Sequence, residues 1–279
     1  MRAKNQKVLP MHPMMNVAVK AARKAGRMIL NASENMQNVQ IQTKSHNNYV
    51  TNVDVEVEKA IVDILQRAFP DQYYITEESG EFGKKNSDHT WIIDPIDGTN
   101  NFIHRIPHHC VSIAMQFRGK TELAVVYNPY LDQLFTATKG SGAQLNGQRI
   151  RVANRKDFTG CLFSGALKFS KKVFAPSYPE AVLDLHKEIS GLRYSGSLAL
   201  DMCYVAAGYL DAVWTSRDAK IWDTAGAALI IKEAGGMLCG LDGGVNFLDD
   251  GRLIAGNPRI VSKLTKFLAP HLMPANSEA

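Results

Sequence analysis

Apolar residues recur at helical spacing in two segments near the start of the chain. Over residues 14–30 they occupy one face of a helix, and basic residues occupy the other face. A second set, over residues 53–68, has the same period and is closed by Pro70. The pattern predicts two amphipathic helices, the second of which has Asp54 in its first turn.

Runs of β-branched and aromatic residues predict strands after the second helix. Residues 73–76 and 91–93 have the composition of buried strands, and they run directly into Glu77 and Asp94 respectively. Residues 110–138 alternate around two turn sequences, which is typical of an antiparallel meander. Because side chains at the ends of strands can converge, we expect these acidic residues to lie close together.

The pattern is weaker in two other parts of the chain. The polar residues 40–48 have no period and predict an exposed, mobile loop. Residues 152–195 are less regular, and the residues 168–179 within them, rich in lysine and proline, predict a second loop. Beyond them, Ser195–Ser197 open a predicted helix. Asp223 is the expected N-cap of another helix, which runs to Ala234 before two glycines.

No flexible linker and no internal repeat divides the chain, so its halves must share a broad interface. We expect one domain over residues 11–279, with lobes of about 11–150 and 151–270 around one active site. Residues 1–10 are basic and polar and are expected to be an extension. Translation from Met1 or from Met11 is compatible with this pattern.

Composition narrows the class of protein. The chain has 279 residues, 45% of them hydrophobic, and its net charge of +5 comes from 32 basic and 27 acidic residues. This is enough apolar material for a large core, and so small a charge excess permits a nucleic-acid partner without indicating one. Four widely spaced cysteines predict reduced core thiols, and no apolar run is long enough for a membrane span. We expect a soluble cytoplasmic protein.

The most informative segment, residues 91–100, ends a hydrophobic strand in two carboxylates, a glycine and a hydroxyl. A proline between the carboxylates cannot donate to a sheet, so we expect a turn that brings Asp94 and Asp97 to one point. The carbonyl of Ile96 would add a third hard oxygen of the kind that Mg²⁺ prefers. The amides of Gly98 and the next residue would point at a phosphate if they begin a helix. The segment predicts a site where a metal ion meets a phosphate.

A simpler interpretation is that Asp94 and Asp97 only form a turn or cap a helix, as most aspartates beside proline and glycine do. Taken alone, the motif leaves both interpretations open. Three further carboxylates favour the metal site, because Asp54, Glu77 and Asp223 also lie at the ends or starts of predicted elements.

Three motifs in this order, TEES at 76–79, WIIDPIDGT at 91–99 and WDTAG at 222–226, resemble the signatures of the inositol monophosphatase family. Their spacing agrees, similarity extends over about residues 11–268, and the opening sequence from Met11 resembles the SuhB-type bacterial branch. The resemblance implies a layered α/β fold, the αβαβα sandwich of these phosphatases. It also implies a homodimer and two or three Mg²⁺ ions per site.

The resemblance further implies metal ligands. Glu77, Asp94 and the Ile96 carbonyl resemble the ligands of a first ion, and Asp94, Asp97 and Asp223 resemble those of a second. Asp94 would therefore contact both ions.

Catalytic and substrate contacts are implied in the same way. Asp54 and Thr99 match the pair that orients the attacking water, with Glu77 beside them, and Lys44 falls where the family has a lysine in a mobile metal-binding loop. The implied substrate contacts are Ile96, Asp97, Gly98, Thr99, Arg193, Gly196, Ser197, Leu198 and Asp223.

The implied reaction is release of phosphate from myo-inositol 1-phosphate, or a similar polyol or sugar phosphate, by metal-activated water. Ser216 departs from the family, since many relatives have there a glutamate that binds inositol hydroxyls, and this leaves the substrate open. Phosphatases for fructose 1,6-bisphosphate, nucleotide 3′-phosphates or NADP share the metal motifs and are alternatives.

A non-enzymatic role is another alternative. Proteins of the SuhB-type branch are associated with ribosomal RNA antitermination through NusA and RNA polymerase. The sequence contains no aromatic RNP pattern, KH loop or dense arginine stripe, so it does not itself indicate direct RNA binding.

Overall fold

The computed structural model describes residues 13–46, 48–166, 176–215, 219–245 and 251–272. The extension predicted at residues 1–10 and the departure at Ser216 lie outside these ranges. The helices are α1 (Pro13–Glu34), α2 (Asn52–Ala68), α3 (Thr99–Ile103), α4 (Tyr178–Glu188), α5 (Leu198–Ala206), α6 (Ile221–Glu233) and α7 (Pro258–Leu268), with short 3₁₀ turns at Met36–Asn38 and Ala269–His271.

The strands are β1 (Ile41–Ser45), β2 (Asn48–Thr51), β3 (Tyr73–Thr76), β4 (Gly80–Gly83), β5 (His89–Asp97), β6 (Cys110–Phe117), β7 (Lys120–Asn128), β8 (Gln133–Thr138), β9 (Gly142–Leu145), β10 (Gln148–Arg149), β11 (Leu162–Ala166), β12 (Gly191–Arg193), β13 (Ala212–Thr215), β14 (Met237–Gly240) and β15 (Leu253–Gly256).

The larger sheet has eight strands in the order β10-β9-β8-β7-β6-β5-β3-β4. Its neighbouring strands are antiparallel except for β3 and β5, which run parallel. The meander predicted for residues 110–138 is β6 to β8, and the strands predicted at 73–76 and 91–93 are β3 and the first part of β5. These three predictions are confirmed.

A second sheet of five strands has the order β12-β11-β13-β15-β14. Two of its strands, β11 and β12, and the helix α4 lie in the less regular segment 152–195, so the sequence pattern misses these three elements. The loop predicted at residues 168–179 lies mostly outside the described residues, and α4 begins within its end, at Tyr178. Strand β12 has only 3 residues, and β11 buries Phe163, Ser164 and Gly165 in succession, so neither strand displays a period of two. Pairing with β13, which follows later in the chain, makes β11 part of a sheet.

Five layers result. Helices α1 and α2 cover one face of the larger sheet, α5 and α6 fill the space between the two sheets, and α4 and α7 cover the outer face of the smaller sheet. The predicted αβαβα sandwich is confirmed. Small residues allow the close packing of the first layer, since a Cβ added to Gly26 of α1 would collide with the Tyr127 ring of β7.

The polar segment 40–48 contributes to an antiparallel hairpin of β1 and β2, in which Ile41 pairs with Thr51. The predicted loop is therefore wrong in conformation, although its exposure is confirmed, since every residue of β1 is exposed. A strand that buries neither face has no apolar alternation, which is why the pattern misses it.

Two expectations from composition can be compared with the described residues. All four cysteines are buried and free, as predicted for reduced core thiols. Among the described helices, each is too short or too polar to cross a lipid bilayer.

Candidate active site

Strand β5 continues through Pro95, contrary to the predicted turn, and carries both carboxylates of the motif. Asp94 pairs with Ser112 and Asp97 pairs with Cys110, so three steps along β5 match two steps along β6. This is a bulge of one extra residue at the position of Pro95, which has no N–H to donate. Residues three apart in a regular strand face opposite sides, so the bulge is what turns Asp94 and Asp97 to the same face.

Three carboxylates converge on this face. One carboxylate oxygen each from Asp94, Asp97 and Asp223 lie within 4.8 Å of one another, and the three residues are 1%, 5% and 6% exposed. Burial, followed by the charges of Glu77, Asp97 and Asp223, raises the pKa of Asp94 well above its usual range. Crowded carboxylates in a buried position repel one another, and a bound cation would relieve this repulsion.

Two helices from the second half of the chain hold Asp97 and Asp223. Asp97 accepts hydrogen bonds from the Ser197 hydroxyl (2.6 Å) and from the backbone N–H of Ala199 (2.7 Å) at the start of α5. Asp223 accepts one from the backbone N–H of Lys220 (2.8 Å). Lys220 is the N-cap of α6 and Asp223 is its third helical residue, so the prediction that Asp223 is the N-cap is wrong. In the first turn its carboxylate also meets the positive end of the helix dipole.

Glu77 reaches the site from the end of β3. Its backbone N–H donates to the carbonyl of Ile93 (3.2 Å), which continues the pairing of β3 with β5 and brings Glu77 beside Asp94. Lys44 of the hairpin lies over this position, with Nζ 3.2 Å from Glu77 Oε1 and 2.7 Å from Glu78 Oε1. Burial raises the pKa of Glu78 to about 7 even though Lys44 opposes the shift. The structure therefore places Lys44 against predicted ligand Glu77.

Asp54 and Thr99, distant in sequence, are in contact. The Thr99 hydroxyl lies 3.0 Å from Asp54 Oδ1 and 3.1 Å from the Ile96 carbonyl oxygen. The second oxygen of Asp54 accepts hydrogen bonds from the N–H (2.8 Å) and hydroxyl (2.6 Å) of Thr51, closing a capping box at the start of α2. Burial raises the pKa of Asp54, and the hydrogen bonds from Thr51 and Thr99 oppose that shift.

Gly98 connects β5 to α3 in a conformation that favours glycine, with φ at +99°. A Cβ added there would lie 3.2 Å from the His108 carbonyl oxygen and 3.3 Å from that of Gly196. Asn101 fastens the same region, because its side-chain amide donates to the carbonyls of His108 (2.6 Å) and Ser195 (2.7 Å). The predicted contacts Gly98 and Gly196 therefore lie side by side.

The remaining predicted substrate contacts are placed differently. Ser197 is 1% exposed and donates its hydroxyl to Asp97, and Leu198 is buried in the first turn of α5. Arg193 is exposed at the end of β12, and its guanidinium donates to the carbonyl of its neighbour Leu192 at 3.4 Å. Ser197 thus supports a predicted ligand, whereas the Arg193 side chain turns back on its own strand. Their roles toward a substrate stay predictions.

A buried network beside the site has no signal in the sequence. The Asp201 carboxylate of α5 accepts a hydrogen bond from the Ser164 hydroxyl of β11 (2.6 Å) and lies 2.9 Å from His108 Nε2. It joins the loop after α3 to elements of the second half of the chain. No motif or local period connects these three positions, so only the packed structure reveals them.

His109 is an unusual core residue next to this network. Its side chain is 0% exposed, and neither ring nitrogen has a hydrogen-bond partner among the described residues. The rings of Phe102 and Tyr130 pack against it edge to face, with centroids 5.7 and 5.3 Å away. Burial lowers the pKa of His109 to about 4. The residue is therefore a neutral imidazole in an aromatic environment.

Replacing His109 by phenylalanine is expected to raise the free energy of unfolding by about 1–3 kcal/mol at neutral pH, because it removes buried polar atoms that only the unfolded chain can hydrate. The gain should grow as the pH falls from 6.5 toward 4, since the unfolded histidine then takes up a proton that the folded one excludes. Urea unfolding at pH 7.5 and 5 measures both effects.

His186→Phe makes the same change at an exposed position of α4 and should alter stability by no more than about 0.5 kcal/mol. A loss of stability in His109→Phe would show that the ring nitrogens of His109 have hydrogen-bond partners in the folded protein in solution.

Comparisons with known proteins agree with this geometry. A model of the inositol monophosphatase family matches residues 10–275. Nus factor SuhB of Escherichia coli strain K12 is 43% identical over 265 residues, which cover 95% of this chain and 99% of that protein.

Two solved structures extend the likeness to the fold. Extragenic suppressor protein SuhB from Bartonella henselae has a TM-score of 0.88 and 39% identity, covering 92% of this chain and 98% of its own. The Thermotoga maritima IMPase has a TM-score of 0.83 and 31% identity, covering 93% and 98%. The predicted resemblance to the family and its SuhB-type branch is confirmed.

Proposed function

The chain belongs to the inositol monophosphatase family, and we propose that it releases phosphate from myo-inositol 1-phosphate or a similar polyol or sugar phosphate with the help of Mg²⁺. The family and the fold support phosphatase chemistry. The observation that carries the proposal is the convergence of Asp94, Asp97 and Asp223, with carboxylate oxygens within 4.8 Å of one another.

The residues around this point suit a hard divalent cation. Every candidate ligand is an oxygen donor, and the burial and mutual repulsion of the carboxylates would be relieved by positive charge. We propose that Glu77, Asp94, the Ile96 carbonyl, Asp97 and Asp223 hold two or three Mg²⁺ ions. When bound, the ions would offset the charge of the phosphate group and activate water.

The protein's own contribution to the reaction is orientation. When the Thr99 hydroxyl donates to the buried Asp54 carboxylate, its oxygen lone pairs are free to accept a hydrogen bond from a water molecule. That contact would aim the water at phosphorus from a fixed direction. The backbone amides of Gly98 and Thr99 at the start of α3 would hold the phosphate group, with Gly196 close behind.

The relatives support the proposed substrate class, and a panel of phosphate esters tests it. We expect kcat/KM for myo-inositol 1-phosphate to exceed that for fructose 1,6-bisphosphate, a nucleotide 3′-phosphate and NADP by about 10-fold or more, since a pocket that hydrogen-bonds particular hydroxyls discriminates against other rings. Phosphate release with and without Mg²⁺ is the measurement. A preference for another ester would reassign the substrate, and no release from any ester would reject the proposed reaction.

The resemblance also supports a proposal about the oligomeric state and the cellular location of the protein. We propose a homodimer that acts in the cytoplasm. Light scattering after gel filtration measures the mass, and the mass of a single 30.8 kDa chain at micromolar concentration would contradict the dimer.

A second role is favoured by the Escherichia coli relative, which is named a Nus factor. We propose that this chain also contacts NusA or RNA polymerase through a surface separate from the active site. A pull-down that compares the wild type with an inactive Asp94→Asn variant tests this. Retention of the partners would support a separate surface, and their loss together with activity would contradict it.

A further inference from the structure

Glu58 is a buried carboxylate with no place in the reaction described above. It lies in α2 and is 1% exposed. Its Oε2 accepts a hydrogen bond from the backbone N–H of Glu78 (2.8 Å), and its Oε1 accepts one from the backbone N–H of Ser79 (2.9 Å). Both oxygens are thus used by two consecutive amides. A buried charge is costly, so its location calls for a physical reason.

The two amides belong to the turn that carries Glu77. Residues 77–79 connect β3 to β4, and the pairing of Thr76 with Gly80 closes this hairpin directly beneath them. Turn amides that point inward need acceptors, and Glu58 provides one for each. Glu58 therefore holds the two amides that directly follow Glu77 in this turn.

Helix α2 links this turn to the other side of the site. Asp54 and Glu58 are four residues apart, so they lie on the same face of the helix, one turn from each other. The fully buried residues Val57, Ile61 and Leu65 pack α2 into the core of the larger sheet. One helix thus contacts both Thr99, through Asp54, and the turn that follows Glu77, through Glu58.

We propose that Glu58 is a positioning residue of the metal site, which holds the Glu77 turn in register with Asp54 and places a further buried negative charge behind it. The inference rests on the proposed function, because it takes Mg²⁺ as the ion that Glu77 binds. A carboxylate that only caps a turn would contribute to stability. A positioning residue must also change the affinity for the ion.

The experiment measures Mg²⁺ binding to the metal-free, full-length protein by calorimetry, together with the Mg²⁺ concentration that gives half-maximal phosphate release. In Glu58→Gln the side chain keeps its length, loses its charge and offers one acceptor to two amides. Mg²⁺ should bind about 10-fold or more weakly, as when groups that support metal ligands are removed. The kcat at saturating Mg²⁺ should fall by a smaller factor.

Glu56→Gln is the matched control, since Glu56 lies on the same helix, is exposed, and accepts a hydrogen bond from the Asn52 side chain at the surface. Its Mg²⁺ affinity should stay within about twofold of the wild type. Glu58→Asp retains the charge and withdraws it from the turn, and it should also weaken Mg²⁺ binding. If Glu58→Gln does not fold, the same Mg²⁺ titration of Glu58→Asp tests whether Glu58 affects the affinity for the ion.

Unchanged Mg²⁺ affinity in a folded Glu58 variant, with only a lower melting temperature, would overturn the inference. A wild-type protein that binds Mg²⁺ but hydrolyses no phosphate ester would reject the proposed reaction, while calorimetry would still decide the role of Glu58. A wild-type protein that binds no Mg²⁺ would overturn the inference itself.

Discussion

Replacement of Asp94 by asparagine is expected to lower the rate of phosphate release at saturating substrate by about 10³-fold or more. Asp94 lies beside Glu77 and has a carboxylate oxygen within 4.8 Å of oxygens of Asp97 and Asp223, so it contacts or neighbours every other carboxylate that would hold the ions. Losing its charge would remove several kcal/mol of charge stabilisation from the transition state, and each 1.36 kcal/mol is tenfold in rate. Initial rates of phosphate release over a range of Mg²⁺ concentrations measure the loss.

The same substitution should not destabilise the metal-free protein. Asparagine has nearly the volume of aspartate, and without the charge the repulsion from Glu77, Asp97 and Asp223 disappears. Thermal unfolding of metal-free Asp94→Asn is therefore expected at or above the melting temperature of the wild type. Asp71→Asn, at an exposed position, controls for the chemical change. Normal Mg²⁺-dependent turnover in Asp94→Asn would remove Asp94 from the metal site.

Removal of divalent metal should have the second large effect. With a chelator present, phosphate release is expected to fall by about 10²-fold or more and to return when Mg²⁺ is added in excess, because without the ion the carboxylates of Asp94, Asp97 and Asp223 would repel the phosphate. Mg²⁺ at 100 times its dissociation constant should also raise the free energy of unfolding by about 2.7 kcal/mol. Phosphate assays and thermal unfolding, each with and without the ion, are the measurements.

The two readouts separate catalysis from binding. An ion that stabilises the protein without restoring activity would place Mg²⁺ outside the reaction, and full activity in chelator would contradict a metal-dependent mechanism. The carboxylates of the proposed site, Asp94 among them, would supply the binding energy for Mg²⁺. The stabilisation by Mg²⁺ should therefore be lost in Asp94→Asn and retained in Asp71→Asn.

Local patterns were sufficient for most elements that position the site. The apolar period of α1 and α2, the meander of β6 to β8, and the start of α5 are properties of short segments, and the structure agrees with them. The predictions failed where an element has no one-sided burial, as in β1 and β11, or is very short, as in β12. In those segments, pairing with distant strands decides the conformation, and no local period records it.

The turn predicted at Pro95 shows how a correct chemical expectation can rest on the wrong local geometry. Proline does interrupt the ladder, but the strand absorbs the interruption as a bulge and continues to Asp97. Both descriptions bring Asp94 and Asp97 together. Only the bulge explains why they face α5 and α6, from which Ser197 and Asp223 approach.

By itself, the sequence determined the helices and strands with a clear period, the family, and the types of oxygen donor available for a metal ion, because these depend on residues close together in the chain. The tertiary structure alone decided which groups support those donors: Ser197 on Asp97, Asn101 on the loop beside Gly98, and Glu58 on the turn that carries Glu77. The physical reason is that each contact joins residues 20 to 100 positions apart, brought together only when two sheets and the helices between them bury their apolar faces.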